Sequence, residues 1–453
     1  MKIGWTQKVV YKMLENKFVI LLYLFATSFF VYQHSTGLSW DFSSYVLNAK
    51  YLFGNGFYFE WYRAPFTPFL LGVLSVFGWR CVEYAYIVLV STLFMFSCIK
   101  LAEKLNISKD LFYSLLLTPF LLNHGLKEGT ELLSLSLLQL SVAYLEENIS
   151  GIFFSLATLT RYTNFIYLPL ILFKKSMKSV IISCCLFSIP FLPWFLFNWY
   201  STSNPLTSLI DAYALNVKFR DYMVMSPKLM DVMSVIGYYL PLFLLGICTK
   251  IAKLKKVDLV MVCFLILTLI SYCRVPFKTP RYLFNLILPV SYFSSFLIRD
   301  KTPKIIPLSI FILNFMLGSL FFLRLEDPTV YRNLISELDE CMLRSNAWVY
   351  FNYQGIPTDV APRKELVKQE IERGKRILLF KHIEEPEYVK DENFLKQFKT
   401  IKKTEEYIIL GDPTKCAPRY KVNKTYLQRL KEDVGIEVST CELFLPKKLC
   451  SMV

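Results

Sequence analysis

Over its first 323 residues the chain is a succession of apolar runs separated by short polar loops, and few folds can accommodate that pattern. Apolar stretches of about 20 residues cross a bilayer as helices, because lipid offers no partner to an unpaired backbone N–H or C=O. The first run is Phe18 to about Val31; no small-residue cleavage site follows it, so it reads as a retained helix. Later runs fall near 81–99, 110–123, 130–146, 150–173, 179–199, 233–249, 257–273, 282–298 and 304–323. Residues 324–453 are charged and mixed, with no run long enough to span.

The net charge of +15 would raise nucleic acid as a partner in a soluble protein, but here many cations sit in loops between apolar runs, and no nucleic-acid partner is expected. Lys2, Lys8, Lys12 and Lys17 precede the first helix. Lys100, Lys104 and Lys109 mark a second cluster, and Lys174, Lys175 and Lys178 a third. Lys250, Lys253, Lys255 and Lys256 form a fourth, and Arg299, Lys301 and Lys304 a fifth. The positive-inside rule puts all five in the cytoplasm. Parity then decides two segments. Pro65 to Gly78 must lie on the outer surface as a juxtamembrane helix, and 150–173 must be two short helices meeting near Arg161. The expected fold is a polytopic α-helical membrane domain over 1–323, with about eleven membrane helices and a first outer loop at 37–80. A small extracytoplasmic α/β domain over 324–453 follows.

Polar chemistry concentrates in the outer loops. Asp41 opens a helical pattern with Phe42, Val46, Ala49 and Phe53 on an apolar face and Ser44, Tyr45 and Asn48 on the other, ended by Gly54 and Gly56. A carboxylate in a first helical turn is held ionised by the helix dipole and can serve as a general base; it can equally be a plain helix-start acid. Arg63 suits either a lipid phosphate or interfacial snorkelling. Glu128 and Glu131 are helix-start acids or members of a site. Arg161, costly at membrane depth without a partner, is a ligand or an ion-pair mate of Glu128 or Glu131. Arg274, Lys278 and Arg281, with Tyr282 next, invite an anion or form a plain charged loop.

These segments resemble the GT-C superfamily, membrane glycosyltransferases that use lipid-phosphate-linked sugars, typified by protein mannosyltransferases and the lipid A aminoarabinose transferase. The family's acidic residue and YxxxAxxLxxG-like helix match Asp41, Tyr45, Ala49, Leu52 and an offset Gly54/Gly56. Its RPPxYPxLL element matches Arg63 to Leu71, with Ala64 for the first proline, and Phe42 stands where relatives carry a second acid. An acidic helix start matches Glu131-Leu132-Leu133, and GxxxxLAxLTR matches Gly151 to Arg161. PWxxxNxxxxxNPL matches Pro193 to Leu206, and RYxxxxxLP matches Arg281 to Pro289. The resemblance implies a polyprenyl or dolichyl phosphate sugar as donor, and a polysaccharide, glycolipid or protein hydroxyl as acceptor on the outer face. Asp41 would be the base, with Arg63, Arg161, Lys278 and Arg281 on the donor phosphate and Tyr45, Glu128, Glu131 and Tyr282 in support. The expected outcome is inversion at the sugar, and the resemblance leaves a divalent cation open as cofactor. A flippase or other transporter of lipid-linked sugars is the competing class, in which Asp41 needs no role as a base.

In the tail, 346–353, Arg376–Phe380 and Glu406–Leu410 read as strands, and Glu365–Arg373 as a helix closed by Gly374. No CxxC pair or Cys/His cluster points to a metal site. In an oxidising space Cys416 would pair with Cys441 or Cys450. Asn423-Lys424-Thr425 is an N-glycosylation sequon.

Overall fold

The computed structural model describes residues 17–219, 224–251, 254–297 and 303–434. Lys2, Lys8, Lys12, Lys253, Arg299, Lys301, Cys441 and Cys450 therefore lie outside the described residues. Among the described residues five helices are long and apolar enough to cross a membrane: Lys17–Ser35, Val82–Leu105, Met177–Thr202, Leu229–Lys250 and Lys256–Arg274. Glu131–Ala143, Ser150–Thr160, Tyr162–Phe173 and Ile305–Leu320 are shorter apolar helices of the same body. Two further helical segments are broken. Lys109–Leu116 and Pro119–His124 meet at Thr118-Pro119, and Pro280–Leu286 continues as Ile287–Ser295. Leu24, Leu89, Leu196, Ile266 and Leu313 stand exposed on the outside of this body, as an apolar solvent favours.

Breaks in buried helices free backbone groups, and amide side chains satisfy them. Asn123 donates to the Gly318 carbonyl at 3.0 Å and accepts from the Leu323 N–H at 3.0 Å. Asn164 donates to the Ala157 carbonyl and Ser134 Oγ, each at 2.7 Å, where the chain turns at Arg161.

The segment 150–173 is two helices, as parity requires: Ser150–Thr160, then a 3₁₀ helix Tyr162–Phe173. Lys174 thus returns to the end where the pair began, and its Nζ donates to the carbonyls of Leu145 and Glu147. Lys104 and Lys175 both reach Glu146 there, at 3.4 and 3.3 Å. Helix Phe66–Leu74 buries Thr67, Pro68, Leu71 and Gly72 and exposes Phe69 and Val73.

The C-terminal unit holds a five-stranded sheet. Its strands are β1 (Leu343–Ser345), β2 (Thr358–Val360), β3 (Arg376–Phe380), β4 (Thr400–Lys403) and β5 (Tyr407–Leu410), in the order β2-β1-β3-β5-β4. β1 runs parallel to β2 and β3, while β5 is antiparallel to β3 and β4. The helix expected at 365–373 is present as Val367–Glu372 with a preceding 3₁₀ turn, and Gly374 follows at φ +83°.

The strand expected at 346–353 is instead a helix, Trp348–Tyr353, and the strand lies just upstream as β1. Ser345 Oγ accepts the Ala347 N–H at 3.0 Å and turns the chain. Every side chain from Ala347 to Phe351 is buried, so the segment is apolar all round and no strand alternation is available. The disulfide joins Cys341 to Cys416, not Cys416 to Cys441 or Cys450; it ties the start of β1 to the segment after β5.

The unit does not pack apart from the helical body. Leu38, Leu47 and Tyr58 of the first long loop share one apolar core with Tyr331, Trp348, Phe351 and Phe380. Trp348 stacks on Tyr58 with ring centroids 4.4 Å apart, and the Leu38 N–H donates to the Glu326 carbonyl at 2.8 Å.

Candidate active site

The helix that carries Asp41 runs Trp40–Phe53 and is stopped at Gly54, whose N–H donates to the Lys50 carbonyl at 2.9 Å. Gly56 then folds back so tightly that a Cβ would sit 2.5 Å from the Tyr51 nitrogen, which only glycine permits. The turn sends 57–63 back along the helix. Asn48 fastens it there: its amide donates to the Glu60 carbonyl and accepts the Glu60 N–H, both at 2.9 Å. Glu60 in turn takes the Arg63 Nε, and Arg63 Nη2 lies 3.0 Å from Asp41. The Arg63 guanidinium also lies over the Tyr45 ring, 4.9 Å from its centroid.

A second loop closes on the same point. Gly129, at φ +85°, brings 125–131 against Phe42, where a Cβ would meet the ring at 2.9 Å. Tyr86 donates to the Gly129 carbonyl at 2.5 Å. This places Glu128 and Glu131 beside Asp41. Arg281 bonds to both Asp41 and Glu131 and lies 3.8 Å from Glu128. Arg161 completes the group, 2.9 Å from Glu131, whose second oxygen accepts from the Thr130 hydroxyl at 3.1 Å. Trp194 of the PW element donates to Tyr162, next to Arg161, at 3.0 Å.

Seven of the nine residues singled out in the sequence therefore meet in one contact network: Asp41, Tyr45, Arg63, Glu128, Glu131, Arg161 and Arg281. Lys278 is engaged elsewhere. Its Nζ donates to the carbonyls of Tyr272, Cys273 and Val275 and so closes the end of helix Lys256–Arg274. Tyr282 packs half-buried against the apolar core. Sequence reasoning missed Glu60, which is 2% exposed and holds Arg63 from three residues away. The available signal was that i, i+3 spacing of acid and arginine in an aromatic loop.

The charges pull the carboxylates apart. Burial opposes ionisation of Asp41, but Arg281 and then Arg63 outweigh it and hold the carboxyl well below the usual range. Burial pushes Glu128 up, against Arg281 and with help from Asp41 and Glu131. Burial likewise raises the Tyr45 phenol. Such a divergence between neighbouring carboxylates is what acid–base chemistry needs. Among the described residues no group of three or more His, Cys, Asp or Glu side chains is arranged to hold a metal ion.

No family model matches the chain, and no curated protein does. Its structure is similar to the crystal structure of ArnT from Cupriavidus metallidurans bound to undecaprenyl phosphate. The TM-score is 0.59 at 10% identity, covering 90% of this chain and 98% of ArnT. The chain therefore has the fold of ArnT.

Proposed function

We propose that the protein is an integral membrane glycosyltransferase that moves a sugar from a polyprenyl or dolichyl phosphate to an acceptor hydroxyl on the outer face. The observation that supports this reading is Asp41 held between Arg63 and Arg281, in a fold shared with a protein crystallised with undecaprenyl phosphate. The acceptor oxygen attacks the anomeric carbon, the bond from that carbon to the phosphate oxygen breaks, and the centre inverts. Asp41 takes the hydroxyl proton. The lipid phosphate leaves with its charge held by Arg63, Arg161 and Arg281.

Paired with two guanidiniums, Asp41 is a weak base. A donor phosphate draws Arg63 and Arg281 toward itself, which weakens their hold and returns basicity to Asp41. Donor binding thus activates the base that the acceptor meets.

The test is transfer from a panel of polyprenyl-phosphate sugars by purified protein. Asp41→Asn, present at wild-type membrane levels, is expected to lose about 10²–10⁴-fold in rate. A variant with full transfer removes the base assignment. Wild-type protein that turns over no donor favours a transporter of lipid-linked sugars instead.

A further inference from the structure

The C-terminal unit contains a cavity of about 280 Å³ that takes no part in the Asp41 network. On one wall Glu370 gathers three cations: Arg344 at 2.8 Å, Lys375 at 2.7 Å and Arg373 at 3.0 Å. Arg344 and Glu370 are both 3% exposed, so this is a built floor and not a chance meeting of surface chains. The other wall comes from Lys424 and from helix Tyr426–Val434, where Arg429 lies 2.5 Å from Asp359 and Lys424 bonds to Glu432. Five basic and three acidic side chains line the space, with Leu366 and Gln369. The lining is mostly polar, so the isoprenoid chain of a lipid donor has no place in it. The volume is at the lower end of ligand sites, about 300–1,000 Å³, and suits one sugar unit.

The cavity is tied to the candidate active site through shared chain. Its Lys424 wall follows Val422, which exchanges backbone hydrogen bonds with Phe57 and Phe59, and Asn423, whose carbonyl accepts Trp61 Nε1 at 2.7 Å. Phe57 to Arg63 is the same loop that carries Glu60 and Arg63 to Asp41.

We infer that this cavity is an acceptor subsite for an anionic sugar unit, one bearing a carboxylate or a phosphate. The role as acceptor subsite rests on the transferase reading; binding of the anion does not. Arg373 and Lys424 reach solvent and meet the charged group, while Arg344 and Lys375 set the positive field behind them.

The experiment is isothermal titration of the detergent-solubilised full chain with D-glucuronate, inorganic phosphate and D-glucose. Glucuronate or phosphate is expected to bind in preference to glucose, the preferred anion naming the source of the charge. Arg373→Gln with Lys424→Gln should weaken that anion about tenfold or more, as loss of charge-assisted hydrogen bonds does. Glu432→Gln, which removes an acid from the rim, should tighten it. The inference is overturned if neither anion binds, if glucose binds as well as glucuronate, or if the double variant binds like the wild type. A protein that binds the anion but transfers no sugar keeps the site and loses the transferase reading.

Discussion

At one end of the helical body three arginines, Arg63, Arg161 and Arg281, face four carboxylates: Asp41, Glu60, Glu128 and Glu131. Around the cavity of the C-terminal unit the balance runs the other way, with five bases to three acids. Both are ion-pair networks with buried members, yet under the proposed reading they would receive an anion differently. In the first, every arginine already has a carboxylate, so a phosphate enters by exchange and must displace one. In the second, Arg344, Arg373 and Lys375 share the one acid Glu370, so an anion adds to that cluster, although Lys424 exchanges Glu432 for it. Exchange couples binding to a change in Asp41, whereas addition leaves its surroundings as they were. The helical body is thereby suited to switching a reactive group, and the C-terminal unit to holding a ligand.

The largest effect expected from breaking this contrast is at Arg281. It touches three of the four carboxylates, and Glu131 beneath it is fully buried. Arg281→Ala leaves those acids facing one another, and removing one partner from a buried pair costs about 3–5 kcal/mol. Unfolding of the detergent-solubilised variant reads the loss, alongside donor turnover. Arg373→Ala, whose side chain is 57% exposed, should cost less than about 1 kcal/mol. Equal losses at the two positions would mean that the networks do not differ in kind.

Much of the first network was legible because its members are marked by strain against their surroundings. An arginine such as Arg161 between apolar runs needs a partner, and Glu131 at a helix mouth is the partner at hand. The topology was legible for a related reason, since Lys174 and Lys175 can end only where water or carbonyls are. What was not legible depended on distant packing. Helix Trp348–Tyr353 has the composition of a strand, and only burial against Trp40, Tyr58 and Tyr331 makes it a helix. Lys278 looks like an anion ligand by sequence, but the end of its neighbouring helix needs a donor and takes it. The charged cavity joins residues from 344 to 432, a span that no local motif reports.

A smaller effect sharpens the exchange side. Glu128 is held above the usual carboxylate range by burial, so it gains a proton at a higher pH than a free glutamate. Once neutral, it no longer repels an incoming phosphate or competes for Arg281. The wild-type KM for the lipid-linked donor should therefore rise as pH is raised through the titration of Glu128. Glu128→Gln should keep the low KM across that range, a difference of about three- to tenfold at neutral pH for one charge at this distance near a protein surface. A KM for the variant that follows the wild-type pH curve would remove Glu128 from the exchange.

A last effect concerns the wall of the cavity. Asp211, 1% exposed, accepts the N–H groups of Tyr426 at 2.7 Å and Leu427 at 3.4 Å, and so caps the helix that carries Arg429. Burial pushes its carboxyl up to about 6 from an ordinary 3.8, against those two hydrogen bonds. Between these values the folded protein keeps a proton that the unfolded chain releases. The stability that this group contributes is therefore fully present below 3.8 and is lost as pH rises through about 6. Asp211→Asn is neutral at every pH and still accepts from Tyr426 through its amide oxygen. It should flatten the fall in stability between pH 4 and 7 and gain on the order of 1–3 kcal/mol at neutral pH, read by unfolding at the two ends of that range. A variant with the wild-type slope would show that the helix is docked by its apolar contacts alone. Anion affinity in the cavity should be unchanged in either case, because Asp211 fixes the wall and does not line the space.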